Sequence, residues 1–187
     1  MHIAIRPALP ADLTSFFVYL NAHLKDNGRD GPLFQPMPRA CSQFPVEKQA
    51  SFHHGLATPL DGAGWRRLWL AMDGDRMVGH IDLRARPEGA ARHRMLLGMG
   101  VDRATRRCGL GMRLLETAAE WANAQPGFDW IDLEVLSVNE PARALYRKFG
   151  FVQTGEIGDM FRIDGEGLGY TFMSLRLHRQ AGWRNQV

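Results

Sequence analysis

Between Gly109 and Ala124 the apolar residues Leu110, Leu114, Leu115, Ala118, Ala119 and Ala122 fall on one stripe of a helix, while Arg113, Glu116 and Glu120 fall elsewhere. Such a helix must bury its stripe against a core. What precedes it narrows the choice further. Arg94 to Val101 reads as a strand interrupted by Gly98 and Gly100, and the chain then runs through Asp102-Arg103-Ala104-Thr105-Arg106-Arg107-Cys108-Gly109 straight into the helix. Glycines within a strand predict a bulge or a close approach to the backbone. The turn that follows has the form of an anion cradle: the first N–H groups of a helix lack internal partners, its dipole favours negative charge, and Arg103, Arg106 and Arg107 stand beside it. Taken alone, an ordinary helix start with solvated arginines fits the same residues.

The rest of the chain supplies the partners of that helix. His2 to Arg6 reads as a strand, and Pro10 opens a helix carrying Leu13, Phe16, Phe17 and Leu20. From Asn21 to Pro45 the chain is rich in turn residues over a length unusual for a passive connector, which predicts a loop covering a binding site. A helix over about Val46 to Leu56 follows, then a hairpin of Trp65 to Met72 and Met77 to Arg84 around Asp73-Gly74-Asp75. Phe128 to Val138 reads as a buried strand, Asn139 as the cap of a helix running to Phe149, and two last strands flank Asp164-Gly165-Glu166-Gly167. The interleaved order predicts a mixed α/β fold in one domain over residues 1–177, with a loose polar tail over 178–187. The 187 residues, 45% of them hydrophobic, suit one well-filled core better than two.

A formal charge of +3 leaves room for a phosphorylated cofactor but falls short of a dedicated nucleic-acid binder. Cys41 and Cys108 lack the spacing of a zinc or redox pair, which fits a reducing compartment, and His53-His54 lack partners at metal-ligand spacing. The apolar stretches are too interrupted for a membrane span or a leader. The expectation is a cytoplasmic protein with no metal, no membrane and no nucleic-acid partner.

The stretch Leu133-Glu134-Val135-Leu136-Ser137-Val138-Asn139-Glu140-Pro141-Ala142-Arg143-Ala144-Leu145-Tyr146-Arg147-Lys148-Phe149-Gly150-Phe151, read together with the arginine–glycine turn before it, resembles the asparagine-to-tyrosine and pyrophosphate-binding motifs of the GNAT superfamily of N-acetyltransferases. The likeness is strongest from about Leu96 to Gly155, and residues 21–64 contribute nothing to it. The resemblance implies a central twisted mixed sheet of about seven strands with about four helices, splayed between the fourth and fifth strands to hold the pantetheine arm of acetyl-CoA. Backbone groups of Met99 and Val101 would face that arm, since unpaired strand amides need a partner. Arg106, Arg107, Cys108, Gly109, Leu110, Gly111 and Met112 would wrap the pyrophosphate, and Asn139, Ala142 and Tyr146, on one helix face, would line the arm.

The same resemblance implies direct attack of an amine on the thioester, with Tyr146 serving the departing thiolate and Glu134 as base. The acceptor is a primary amine of a small molecule or of a protein N-terminus, and family members are often homodimers. Each residue has a plainer reading beside this one. Tyr146 is also a core aromatic, Asn139 a helix cap, Glu134 a solvent-facing charge, and His80 and Asp82 on the hairpin are the next candidates for base. Cys108 is assigned no catalytic role. The competing functions are a non-catalytic acyl-CoA sensor or scaffold and a nucleotide-binding regulator.

Overall fold

The computed structural model describes residues 2–29 and 31–178, so all of the expected tail after His178 lies outside the described residues. Seven strands form one mixed sheet: β1 (Ile3–Pro7), β2 (Arg66–Asp73), β3 (Arg76–Ala85), β4 (Arg94–Val101), β5 (Trp130–Leu136), β6 (Val152–Ile163) and β7 (Glu166–Arg176). Their order is β1-β2-β3-β4-β5-β7-β6, and β4–β5 is the parallel pair. Four α-helices accompany them among the described residues: α1 (Leu13–Leu24), α2 (Val46–Ala57), α3 (Leu110–Ala124) and α4 (Glu140–Phe149).

The period-two alternation of the strands sends successive side chains to two separate cores. Trp69, Ile81, Leu83, Met95, Leu97, Ile131 and Leu133 pack with the α3 stripe of Leu110, Leu114, Leu115, Ala118 and Ala122. On the other face Leu68 and Leu70 pack with Leu13, Phe16, Phe17 and Leu20 of α1 and Phe52 of α2. Among the described residues, helices cover that second face over its β2–β3 half. Beyond it the chain between α1 and α2 takes over, and Leu33 packs against Leu136, Ile163 and Leu168.

The described residues of this connecting segment, 25–29 and 31–45, form a strap held together from within. Asn27 is wholly buried within it; its amide nitrogen donates to the carbonyls of Gln35 and Met37 and to Ser42 Oγ, and its oxygen accepts from the N–H groups of Phe34 and Gln35. One side chain thus satisfies backbone groups that would otherwise leave a loop of this length without internal structure. Arg39 ties the far end to the β6–β7 turn, 3.0 Å from both Asp164 and Glu166.

The bulge expected in β4 is not there: β3 and β4 stay in register from Gly79↔Val101 to Ala85↔Met95, and the register shifts fall in β2 and β6. The β4 glycines serve close approach instead, and the neighbour is the protein's own. A Cβ on Gly98 would lie 2.5 Å from Asp82 Oδ1, and one on Gly100 2.6 Å from the His80 ring.

Candidate active site

β4 and β5 pair at three positions, Arg94↔Trp130, Met95↔Ile131 and Leu96↔Asp132, and then part. The direction of the backbone groups beyond that point follows from the outer ladders. Asp102 N–H donates to Val78 O at 2.9 Å, so in the antiparallel β3–β4 ladder the even-numbered residues of β4 bond β3, and Leu97, Met99 and Val101 turn their polar groups into the gap. Ser137 N–H donates to Gly169 O at 2.9 Å, so by the same alternation Glu134 and Leu136 face the gap from β5. Buried strand edges of this kind need hydrogen-bonding partners. The Val101 carbonyl accepts from Arg106 Nε at 3.2 Å.

Past Val101 the chain makes a 3-10 turn at Arg103–Thr105, anchored by Thr105 Oγ on the carbonyls of Val78 and Asp102. Arg107 then takes φ 63° and Gly109 φ 81°, and α3 begins at Leu110 with no side chain capping its N-terminus. The left-handed Gly109 costs little there, whereas at Arg107 the same conformation carries strain. Arg106, Arg107 and Cys108 are exposed around an uncapped helix start, which is the arrangement that accepts an anion. Cys108 Sγ donates to Thr105 O at 2.6 Å. Gly111 serves helix packing: a Cβ there would meet Leu145 of α4 at 2.8 Å.

Across the gap Asn139 caps α4, its side chain accepting from Ala142 N–H at 3.4 Å. Ala142 is half-buried and Tyr146 buried, packed edge-on to Phe151. Burial, with Tyr170 nearby, pushes the Tyr146 hydroxyl up to about 12, so it keeps its proton at neutral pH. Glu134 is exposed on the face opposite α3 and α4. Burial likewise raises the Tyr170 hydroxyl to about 12, with Glu134 beside it adding to the shift and Arg84 opposing it.

The other two candidate bases are differently placed. Asp82 is buried and paired with Arg66, and Arg84 Nη1 lies 3.3 Å from it, so its carboxylate holds arginines in place. His80 is buried against Phe16 and 3.5 Å from the Tyr19 hydroxyl, and burial lowers its pKa to about 3. Neither the buried Asn27 hub nor His23, Arg84 and Tyr170 was singled out by sequence reading. Their positions depend on pairings distant in the chain, and only the turn pattern Asn27-Gly28 left a local trace.

The geometry agrees with what is known of other chains. Residues 36–151 match the model of the Acetyltransferase (GNAT) family. Among solved structures, the acetyltransferase of GNAT family from Streptococcus pneumoniae shares 24% identity over 95% of this chain and 100% of its own, with a TM-score of 0.77. A putative acetyltransferase from Salmonella typhimurium, with its cofactor acetyl-CoA, shares 19% over 96% of both chains, TM-score 0.74. A phosphinothricin acetyltransferase from Sinorhizobium meliloti in complex with AcCoA shares 20% over 100% of this chain and 95% of its own, also at 0.74. At these identities the likeness to solved structures is one of fold, while the family match spans more than half of the sequence. A seven-stranded sheet parted at its parallel pair, opening onto an uncapped helix start and matched by that family model, means that the chain belongs to the GNAT acetyltransferase family.

Proposed function

We propose that this chain, through residues 1–177, transfers an acetyl group from acetyl-CoA to a primary amine in a ternary complex. The observation that carries the reading is the parting of β4 from β5 after Leu96 and Asp132, which turns the backbone groups of Met99 and Val101 into a gap ending at an uncapped helix start. A pantetheine arm is an amide chain and fits such an edge as a substitute strand. Its diphosphate fits the N–H groups of Gly109 to Met112 beside Arg106 and Arg107, and Asn139, Ala142 and Tyr146 wall the opposite side.

Bound there, acetyl-CoA supplies an activated acyl carbon. In the exchange a C–N bond forms and the C–S bond breaks, so the amine must lose a proton and the sulfur must gain one. A lysine-type amine is mostly protonated near neutral pH, with a reference pKa of about 10.4, so it gives up two protons in all: one before attack, to the exposed Glu134 carboxylate directly or through water and on to solvent, and one as the C–N bond forms, which balances the proton gained by the sulfur. The buried, protonated Tyr146 hydroxyl serves the sulfur. An N–H of the β4 edge near Val101 would stabilise the negative charge that gathers on the acyl oxygen.

An assay of amines with acetyl-CoA, following release of free thiol, tests the reading. Tyr146→Phe is expected to lower turnover about 100-fold with the affinity for coenzyme A nearly kept. A protein that binds coenzyme A but releases no thiol with any amine would instead be a sensor or scaffold. These residues would then only bind.

A further inference from the structure

Asp82 shares its carboxylate between two guanidiniums, so the cluster of Arg66, Asp82 and Arg84 carries two positive charges and one negative. Arg66 is the buried member and stacks 3.8 Å from the centre of the Phe52 ring. Arg84 is the open one, with 34% of its side chain exposed, and its Nη1 lies 3.1 Å from where a Cβ on Gly98 would stand. The missing side chain at Gly98 thus leaves room for a guanidinium directly over β4. Because Leu96 pairs with Asp132, two further steps along each strand bring Gly98 level with Glu134, at the point where the strands part. An arginine and a carboxylate therefore flank the opening on the face away from α3 and α4, and the Tyr170 hydroxyl feels both.

We infer that the acceptor is a free α-amino acid, whose carboxylate binds Arg84 while its amine faces Glu134. The inference rests on the acetyl-transfer reading and goes beyond it by choosing between the two acceptor classes. A guanidinium presents parallel N–H donors that match a carboxylate, and the α-amine lies two bonds from that group. A peptide N-terminus carries a neutral amide at this place and would leave the surplus charge of Arg84 uncompensated. The strap, which Leu33 and Arg39 fasten to Leu136 and the β6–β7 turn, narrows the space beside the opening that a longer chain would need. A groove of about 650 Å³ beyond Glu134, lined by Thr154, Ile157 and Phe172 among others, offers space for the amino acid's side chain.

The test uses the full chain saturated with coenzyme A for melting and acetyl-CoA for rates. The probes are the common L-α-amino acids, each set against the amine left when its carboxylate is removed and against its α-carboxamide. At least one amino acid is expected to raise the melting temperature and to be acetylated with kcat/KM about 10- to 100-fold above both partners. Arg84→Gln is expected to bring the acid down to the level of its partners and Arg84→Lys to restore part of the preference. Neither variant should change coenzyme A affinity, and the small fall in melting temperature without acceptor that follows from loosening the Arg84 contact to Asp82 should be greater for Arg84→Gln than for Arg84→Lys. The inference is overturned if amine or carboxamide serves as well as the acid, if no amino acid binds, or if Arg84→Gln lowers all three rates together. Stabilisation by coenzyme A alone reports separately on the cofactor. If it occurs while only carboxylate-free amines react, acetyl transfer stands and the amino-acid acceptor falls; if it does not occur, both fall.

Discussion

Asp132 and Glu134 sit two residues apart on β5 and point to the same face of the sheet, yet the strands around them put them to different use. Asp132 lies on the last rung where β4 and β5 still pair. It takes Arg94 Nε at 2.7 Å, Arg86 at 3.0 Å and Ser174 Oγ at 2.7 Å, and only 9% of its side chain is exposed. Burial works to raise its pKa, but the hydrogen bonds from Arg94 and Ser174 and the nearby positive charge outweigh this and hold it below the usual carboxylate range. Glu134, one step into the parted region, is exposed. The difference teaches that the end of a ladder, more than residue type, divides structural from reactive carboxylates here: where strands pair, flanking side chains can close on an acid, and where they part it stays open to a substrate.

Exchanging each acid for its amide would break that division if it is wrong. Asp132→Asn leaves Arg94 and Arg86 facing each other without their shared anion and is expected to cost about 3 kcal/mol. In a chain of this size that lowers the melting temperature by roughly 6 to 12 °C, measured by thermal unfolding, with kcat of the folded fraction kept. Glu134→Gln should do the reverse. Its melting temperature should stay within a degree or so of the parent, while kcat/KM for the amine falls about 100-fold. A Glu134→Gln protein with full activity would remove Glu134 as base, and an Asp132→Asn protein that melts normally would remove the closed half as a clamp.

Much of the fold was legible because its signals are local. The α3 stripe, the Asn139 cap and the glycine punctuation pointed to four helices, the first five strands came within about two residues of their observed bounds, and the last two were placed only by the turn between them. The candidate binding elements were readable for the same reason, since the turn from Val101 to Gly111 and the helix from Asn139 to Tyr146 are each continuous in the chain. What escaped was long-range. Gly98 and Gly100 were read as a bulge or a close approach, and which of the two holds depends on Asp82 and His80 standing opposite them, sixteen and twenty residues earlier, which no local pattern shows. The strap was legible as a turn-rich loop but its internal hub was not, because the burial of Asn27 follows from chain folding back over residues 34–42. Arg84 reads in sequence as a strand-end charge, and its place over the opening depends on three strands in register.

Protonation offers the finest separation of the two halves, because their titrating groups work in different pH windows. His23 and His80 flank Gly100 in the open half, His23 5.9 Å from Tyr19 and 4.7 Å from Phe34 between ring centres. Burial is the first cause that lowers His23 to about 4 and His80 to about 3, with Arg106 adding to the effect at His23 and His23 itself at His80. In the unfolded chain both return to about 6.5, so as pH falls below that value the unfolded state binds more protons and stability drops. The contribution is full well above pH 6.5 and is lost progressively as pH falls, toward pH 4 for His23 and pH 3 for His80. Asp132 acts lower: its depressed pKa gives stability above the unfolded carboxylate value of about 3.9, lost only beneath it. Between pH 7 and pH 6 the two histidines together should cost about 1.4 kcal/mol, seen as a fall of roughly 3 to 6 °C in melting temperature at constant ionic strength. His23→Gln should about halve that slope, and Asp132→Asn, though less stable throughout, should leave it unchanged. A slope over this range that followed Asp132 instead would mean that the closed half, and not the histidine pair beside the opening, governs the response to mild acid.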